Sequence, residues 1–546
     1  MPEEVLLLVE ATGIQNYIFG SNQLTQNIGA SELVQQATTD WVYEALPTPH
    51  NVVRDDTDPD GWKITDQSLH NDDLLAEVVY AGGGNAMILF RSADDSHSGA
   101  TAFTQWLTRK VLENAPGLGI VVAWQALDSR PLKDVHQDLR QKLALKKLNR
   151  PRNIPLLGLS VTAACKFTGA PAVAIDDGRL ISAEVRKKLA AEKTETRLER
   201  HLKDVELAGF GFLKDFNEMG VKGESSYLAV VHTDGNGMGE RVKRIGEICG
   251  DDDQAYVREL RRFSYSVGRA ARSALNKTVG MLLDPNNLEQ VRNEGATERY
   301  VLGGKVPVPP GKDGKDELPF RPIVFGGDDV TFVCEGRLGL ELAARYLHEF
   351  TSEPLADGER AFARAGVAVV KSHYPFSRAY DLAEELCKSA KKRVKELEEE
   401  GATGATVMDW HFAVGGLVLP LRQVRQREYV SDLGYSMLMR PVSLDHPDST
   451  WRSWRTLMDL MEDFQDRVPR REKQWSDRRN KVKALRDALR AGPEPVKLFL
   501  NTVGGELLDI RQRPDMKKEG WQGGECGYFD AVEALDFFVP LEGGVA

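Results

Sequence analysis

The sequence predicts an α+β fold made of two βαββαβ units followed by a helical region. Three observations carry this. Apolar strand-like runs and helical stretches follow one another in the same order twice. A glycine-rich turn stands between the two central strands of each unit, Gly82-Gly83-Gly84-Asn85 in the first and Gly326-Gly327-Asp328-Asp329 in the second. From Met437 onward the spacing of apolar residues becomes helical, with Leu457, Leu460, Met461 and Phe464 on one face. A chain of 546 residues is also longer than a single core usually supports.

In the first unit, Val5-Leu6-Leu7-Leu8-Val9 is a buried strand. Gly13 to Phe19 is a turn entering a short helix, and a longer helix opens at Ala30 and runs towards Trp41. Val78 to Ala81 and Ala86 to Phe90 are strands around the glycine turn, Thr101 to Leu112 is helical and Leu118 to Trp124 closes the unit. In the second unit the strand is Tyr227 to Val231, the helix Gln254 to Leu275, and the hairpin strands lie on either side of Gly326-Gly327. The helix Leu338 to Phe350 and the strand Ala365 to Val370 complete it. The glycines are expected to supply the φ > 0 residues of a two-residue hairpin. Gly304 to Leu318, rich in Gly, Pro and Lys, is expected to be an exposed loop. After the second unit come a helix from Arg378 to Glu399 and a strand, Met408 to Phe412, at the sheet edge. Arg467 to Arg490 is a basic helical stretch, and Leu498 to Leu500 and Val532 to Phe538 are further helices. The expected boundaries are 1–155 for the first unit, 156–220 for a linker, 221–430 for the second unit and 431–546 for the helical region.

The chemistry concentrates in the second unit. Asp234 ends a buried strand, and Asp328 and Asp329 sit on the hairpin turn. Three carboxylates at one end of a sheet are oxygen donors for hard divalent cations. Two such ions stabilise the attacking and leaving oxygens of a nucleotidyl transfer. That arrangement is the carboxylate set of a polymerase or cyclase palm. The alternative for each residue is structural: a solvated hairpin turn for Asp328 and Asp329, a helix N-cap for Asp234. Gly235, Asn236, Gly237 and Gly239 follow Asp234, and with Gly326 and Gly327 they let backbone N–H groups approach phosphate at a helix N-terminus. Lys391 and Lys392 are the candidate partners of triphosphate oxygens. The first unit carries Gly84 and Asn85 where the second has Asp328 and Asp329, and Glu10 where it has Asp234. It is expected to bind no metal and to contribute a wall of the nucleotide pocket.

Elsewhere the signals are plainer. Leu139 to Asn153 is basic and is expected to be a solvated helix face. Cys165 stands alone where a zinc ribbon needs pairs, so no zinc is expected. Ala183 to Leu207 is a charged helical stretch. A net charge of −11 disfavours non-specific nucleic-acid binding. Five dispersed cysteines, no signal peptide and no membrane-spanning apolar run point to a cytoplasmic protein without membrane contact.

With these residues in place, the sequence resembles the large polymerase-like subunit of type III CRISPR effector complexes. Gly13-Ile14-Gln15, Gly29-Ala30-Ser31-Glu32-Leu33, Asp234 to Gly239, Gly326-Gly327-Asp328-Asp329 and Ala365 to Lys392 carry the resemblance, which covers nearly the whole chain. It implies two ferredoxin-like palm domains and a C-terminal helical domain that contacts small subunits. It also implies a nucleotidyltransferase that makes cyclic oligoadenylates from ATP with two Mg²⁺ (or Mn²⁺) ions, working with effector subunits, guide RNA and target RNA in antiviral defence. The His-Asp nuclease motif common in that family is absent from this sequence, so no DNase activity is expected. The rival functions are a cyclic dinucleotide synthase and a non-catalytic scaffold of an RNA-guided complex.

Overall fold

The computed structural model describes residues 4–92, 99–149, 161–219, 226–292, 298–311, 314–415, 419–445, 450–465, 475 and 479–545. The chain is a mixed α/β protein with several sheets and a helical C-terminal region. Two sheets organise it. The first contains β1 (Val5–Thr12), β2 (Ala76–Gly82), β3 (Asn85–Phe90) and β4 (Gly119–Ala126), in the spatial order β2-β3-β1-β4. The second contains β5 (Tyr227–Gly235), β6 (Phe320–Val324), β7 (Val330–Glu335), β8 (Ala363–Lys371), β9 (Val407–Ala413) and β10 (Val442–Ser443), in the order β6-β7-β5-β8-β9-β10. The first four strands of each sheet therefore share one order, and every pair among them is antiparallel. β9 adds to the second sheet in parallel.

The apolar runs explain the burial. Val5 to Val9 and Leu228 to Val231 are each 4% exposed or less, because each is the central strand of its sheet and is covered on both faces. One continuous core joins the two units, with Leu7 and Ile88 from the first and Val230 and Val370 from the second. The short helix Ile14–Phe19 of the first unit lies on the helix Phe376–Glu399 of the second, the Phe19 and Tyr380 rings stacking at 3.8 Å. In the C-terminal region Leu457, Leu460, Met461 and Phe464 are buried on one side of the helix Trp454–Phe464, as their spacing predicts.

Several expectations are corrected. The loop assigned to Gly304–Leu318 contains short strands at Val306–Pro307 and Glu317–Leu318, and Val306, Val308 and Leu318 are buried. Val306–Pro307 closes a small sheet with Leu288–Arg292 and Glu298–Leu302. Residues 312–313 of that stretch lie outside the described residues. Met437 to Pro441 is not helical; it leads into β10, which makes β9 an inner strand rather than the edge. The charged stretch from Ala183 breaks into helices Ala183–Lys193 and Arg197–His201. The basic helix expected over Leu139 to Asn153 is Leu132–Leu148, while residues 150–160 lie outside the description, as do most of 466–478.

The helix Phe376–Glu399 sits against β8 at a distance only glycine permits. A Cβ on Gly366 would lie 2.0 Å from the Ala383 carbonyl oxygen and 2.5 Å from the Cys387 nitrogen. Both are backbone atoms and cannot swing away, so overpacking must move the helix. Gly366→Ala is expected to lower stability by ~2–3 kcal/mol in urea unfolding. Gly280→Ala, in a helix where a Cβ meets nothing within 4 Å, is expected to be neutral or stabilising by up to ~1 kcal/mol.

Candidate active site

Strand register brings the three aspartates together. β5 pairs with β7 up to Thr233–Val330, so the next step sets Asp234 beside Asp329 across the strands. The turn itself differs from the expected two-residue hairpin. Pairing of β6 and β7 ends at Val324–Thr331, which leaves Phe325 to Asp329 as an open loop, and of the two glycines only Gly326 has positive φ, +104°. The first unit holds the true two-residue turn: Gly82 pairs with Asn85, and Gly83 and Gly84 lie at φ +59° and +87°. The longer loop of the second unit carries Asp328 over the backbone of β5. A Cβ on Gly235 would lie 2.9 Å from Asp328 Cβ and 3.1 Å from its Oδ2. Gly235 is therefore needed for the carboxylate to reach this position.

The charges are unevenly balanced. Asp234 forms an ion pair with Arg364, which stands directly opposite it on β8. Arg364 also donates to the Gly235 carbonyl at 3.1 Å and to Asn236 Oδ1 at 2.6 Å. Asn236 donates its side-chain N–H to the Ala405 carbonyl at 2.9 Å and its backbone N–H to the Phe362 carbonyl at 2.8 Å. Its amide is thus engaged by the fold rather than turned to a ligand. Asp329 Oδ1 lies 3.4 Å from Nδ1 of His232, a buried ring also 3.0 Å from Thr331 Oγ1. Burial holds His232 down to about 4, so the ring is neutral and offers Asp329 no counter-charge. Burial, then the negative charges of Asp234 and Asp329, push Asp328 up to about 6. Desolvation and Asp234 move Asp329 the same way, although 53% of its side chain remains open to solvent, which softens the effect through screening.

Asp328, Gly326, Gly327, Met238 and Gly239 line a cleft of about 1490 Å³ whose other wall comes from the first unit, including Gly83 and Asn85. The two glycine turns meet across it: a Cβ on Gly327 would lie 4.0 Å from the Cα of Gly83. Arg269 and Arg272 of the helix Asp253–Leu282 add positive charge to the wall, while Arg261 and Lys277 beside them pair with Glu77 and Glu349, each at 2.8 Å. The helix Met238–Cys249 starts at Gly237, φ +70°, with no side chain capping its first N–H groups. Asp234 and Asp329 do not line this cleft, and neither do Lys391 and Lys392, which are exposed on their helix. On that helix Glu384 and Lys388 lie nearer the aspartates: both act on His232, and they pair with each other at 2.8 Å. Among the described residues no three or more His, Cys, Asp or Glu are placed closely enough to hold a metal ion. The donor chemistry nevertheless fits a hard cation, because the set is all carboxylate oxygen and two of its members are short of counter-charge.

No family model and no curated protein matches the chain. Solved structures do. Two sheets whose first four strands share one order, with an acidic turn at one end of the second, define the class of fold, and the chain has the fold of Csm1 from type III-A CRISPR–Csm complexes. It is similar to a Csm1–Csm4 cassette in complex with pppApApA, with TM-score 0.52, 14% identity and coverage of 98% of this chain and 69% of that one. The same cassette in complex with cA4 gives 0.50, 13%, 98% and 69%. A Csm1–Csm4 subcomplex of the type III-A CRISPR–Csm interference complex gives 0.50, 16%, 98% and 70%. No helix among the described residues is long and apolar enough to cross a membrane.

Asp328 generates a prediction about the ion-free protein. Its folded pKa is raised from 3.8 to about 6, so the folded state binds the proton more tightly than the unfolded state. Its contribution to stability is therefore lost as pH rises through that interval, and the penalty is complete above it. Asp328→Asn removes the penalty and is expected to gain ~1 kcal/mol at pH 8 without divalent ions, after allowance for partial exposure. Thermal melts at pH 4 and pH 8 check this: the gain should vanish at pH 4.

Proposed function

We propose that the chain is a metal-dependent nucleotidyltransferase with two ferredoxin-like palms, making cyclic oligoadenylates from ATP within an RNA-guided complex. The observation that carries this reading is Asp328, seated over Gly235 in the cleft between the units and coupled to Asp234 and Asp329. In the proposed reaction the 3′-hydroxyl oxygen of one ATP forms a bond to the α-phosphorus of another. The bond to pyrophosphate breaks, and the hydroxyl proton leaves to solvent. When bound, a pair of Mg²⁺ or Mn²⁺ ions supplies charge stabilisation at the attacking and leaving oxygens.

The chain's own residues divide the remaining work. Asp328 and Asp329 would hold the ions through their carboxylate oxygens, and Asp234 would be the third donor while keeping its contact with Arg364. The uncapped N–H groups after Gly237 suit a phosphate. Arg269 and Arg272 balance polyphosphate charge in the cleft. Gly83 and Asn85 place the first palm as a wall without a competing carboxylate. The neighbours in complex with pppApApA and with cA4 support an oligoadenylate as product, and their Csm4 subunit supports a small effector subunit as partner. Guide and target RNA belong to the same proposal. The Asp234–Arg364 ion pair favours a second reading, a non-catalytic scaffold, because it withdraws one carboxylate from any ion.

Labelled ATP, Mg²⁺ and mass spectrometry of the products separate these readings, with partner subunits and target RNA added in turn. Asp328→Asn is expected to slow turnover by roughly 100- to 1,000-fold, corresponding to ~3–4 kcal/mol of lost transition-state stabilisation, with circular dichroism unchanged. Parental turnover by the folded variant would remove Asp328 from catalysis. A dinucleotide product would move the protein to the cyclic dinucleotide synthases. No product under any condition would favour the scaffold.

A further inference from the structure

We infer that Arg197 is a positioning residue for the Gly-Gly-Asp-Asp loop and that Asp60 of the first unit sets its orientation; the link to catalysis rests on the function proposed above. The loop has little support of its own. Beyond Val324–Thr331 no strand pairing holds it, and Phe325 is its first residue. Arg197, from the short helix between the units, donates Nη2–H to the Phe325 carbonyl oxygen at 2.7 Å. Its guanidinium lies 4.4 Å from the centre of the Phe325 ring, and its side chain is 7% exposed. Gly326 makes room for it: a Cβ there would lie 2.6 Å from Arg197 Nη2. Glycine at this position thus serves both the positive φ of the loop and the approach of the arginine.

The other end of the guanidinium is fixed from the first unit. Nε donates to Asp60 Oδ1 at 3.3 Å, and the His201 ring nitrogen Nε2 lies 3.0 Å from the same oxygen. The His201 ring meets Phe325 edge-on at 5.3 Å. Burial opposes the charge on Asp60, yet the His201 hydrogen bond and Arg197 hold its carboxyl well below the usual carboxylate range. The segment is also bolted to the second sheet, since Glu195 pairs with Arg321 of β6 at 2.9 Å. One planar fork therefore connects a carboxylate of the first unit to the loop that carries Asp328 and Asp329. Lysine keeps the charge but not the two directed N–H groups or the flat face.

The test is hydrogen exchange of the full chain, read at the amides of 326–329 and, as control, of 331–335. In Arg197→Lys the loop amides are expected to exchange at least ~10-fold faster, with the control strand unchanged, since only the loop loses an anchor. Asp60→Asn, which leaves Arg197 in place, should move the same amides in the same direction by less. The double variant should add nothing to Arg197→Lys, because both substitutions break one connection. Unchanged loop exchange in Arg197→Lys, additive effects, or equal acceleration in loop and strand would overturn the inference. Mn²⁺ titration followed by electron paramagnetic resonance separates this from the proposed function. Tight binding by the parent and ~10-fold weaker binding by Arg197→Lys supports both. A parent that binds no Mn²⁺ sinks the metal-dependent reading while exchange still decides the role of Arg197. A parent and variant that bind alike end the claim that positioning matters for the ions.

Discussion

Like charges crowded into one end of a sheet must be offset, and the rest of this molecule is arranged around that requirement. Each unit carries a carboxylate near the end of an inner strand and answers it with a cation. Glu10 of the first unit pairs with Lys147, and Asp234 of the second pairs with Arg364. In the first unit the matter ends there, because Asn85 beside Glu10 brings no further charge. The second unit adds Asp328 and Asp329, beside a neutral His232 and an Arg364 already paired with Asp234. The surplus negative charge is thus local and directed. It sits in a protein whose overall acidity, −11, offers no general attraction for polyanions, although Arg269 and Arg272 place positive charge on the wall of the cleft.

Glycine makes the meeting of the two units possible. With no side chains at Gly83 and Gly327 the two turns approach nearly to backbone contact. Gly235 and Gly366 do the same on a smaller scale, one under Asp328 and one under the helix that carries Glu384. These four positions set distances in the site that no polar contact could set alone.

Much of the architecture was legible because it is written locally. The apolar runs at Val5 and Leu228, the repeated order of elements and the two glycine turns each fix a strand or a corner without knowledge of the partner. The three aspartates were legible because strand ends and turns are where a sheet can present carboxylates. What escaped depends on register and on distance along the chain. Arg364 is unremarkable in sequence and becomes the partner of Asp234 only because β8 pairs with β5 in one particular register. Arg197 and Asp60 are 137 residues apart. Lys391 and Lys392 lie exposed outside the cleft, because helical spacing gives a face but not the direction in which that face is turned. The strands at Val306–Pro307 and Glu317–Leu318 were hidden by Pro, Gly and Lys, whose local preferences are overridden by burial of Val306, Val308 and Leu318.

The shared core of the two units has a consequence for how such a cleft can be controlled. Where two identical subunits build a site between them, dilution separates the halves and abundance alone can switch the site on. Here both halves belong to one polypeptide and bury a common set of apolar side chains. The local concentration of one half around the other is therefore set by the chain and not by the cell. Synthesising more of the protein raises the number of clefts but not the fraction assembled. Under the proposed function, a signal that changes the output per molecule would have to act on the loop or on what enters the cleft, because the encounter of the halves has already happened during folding.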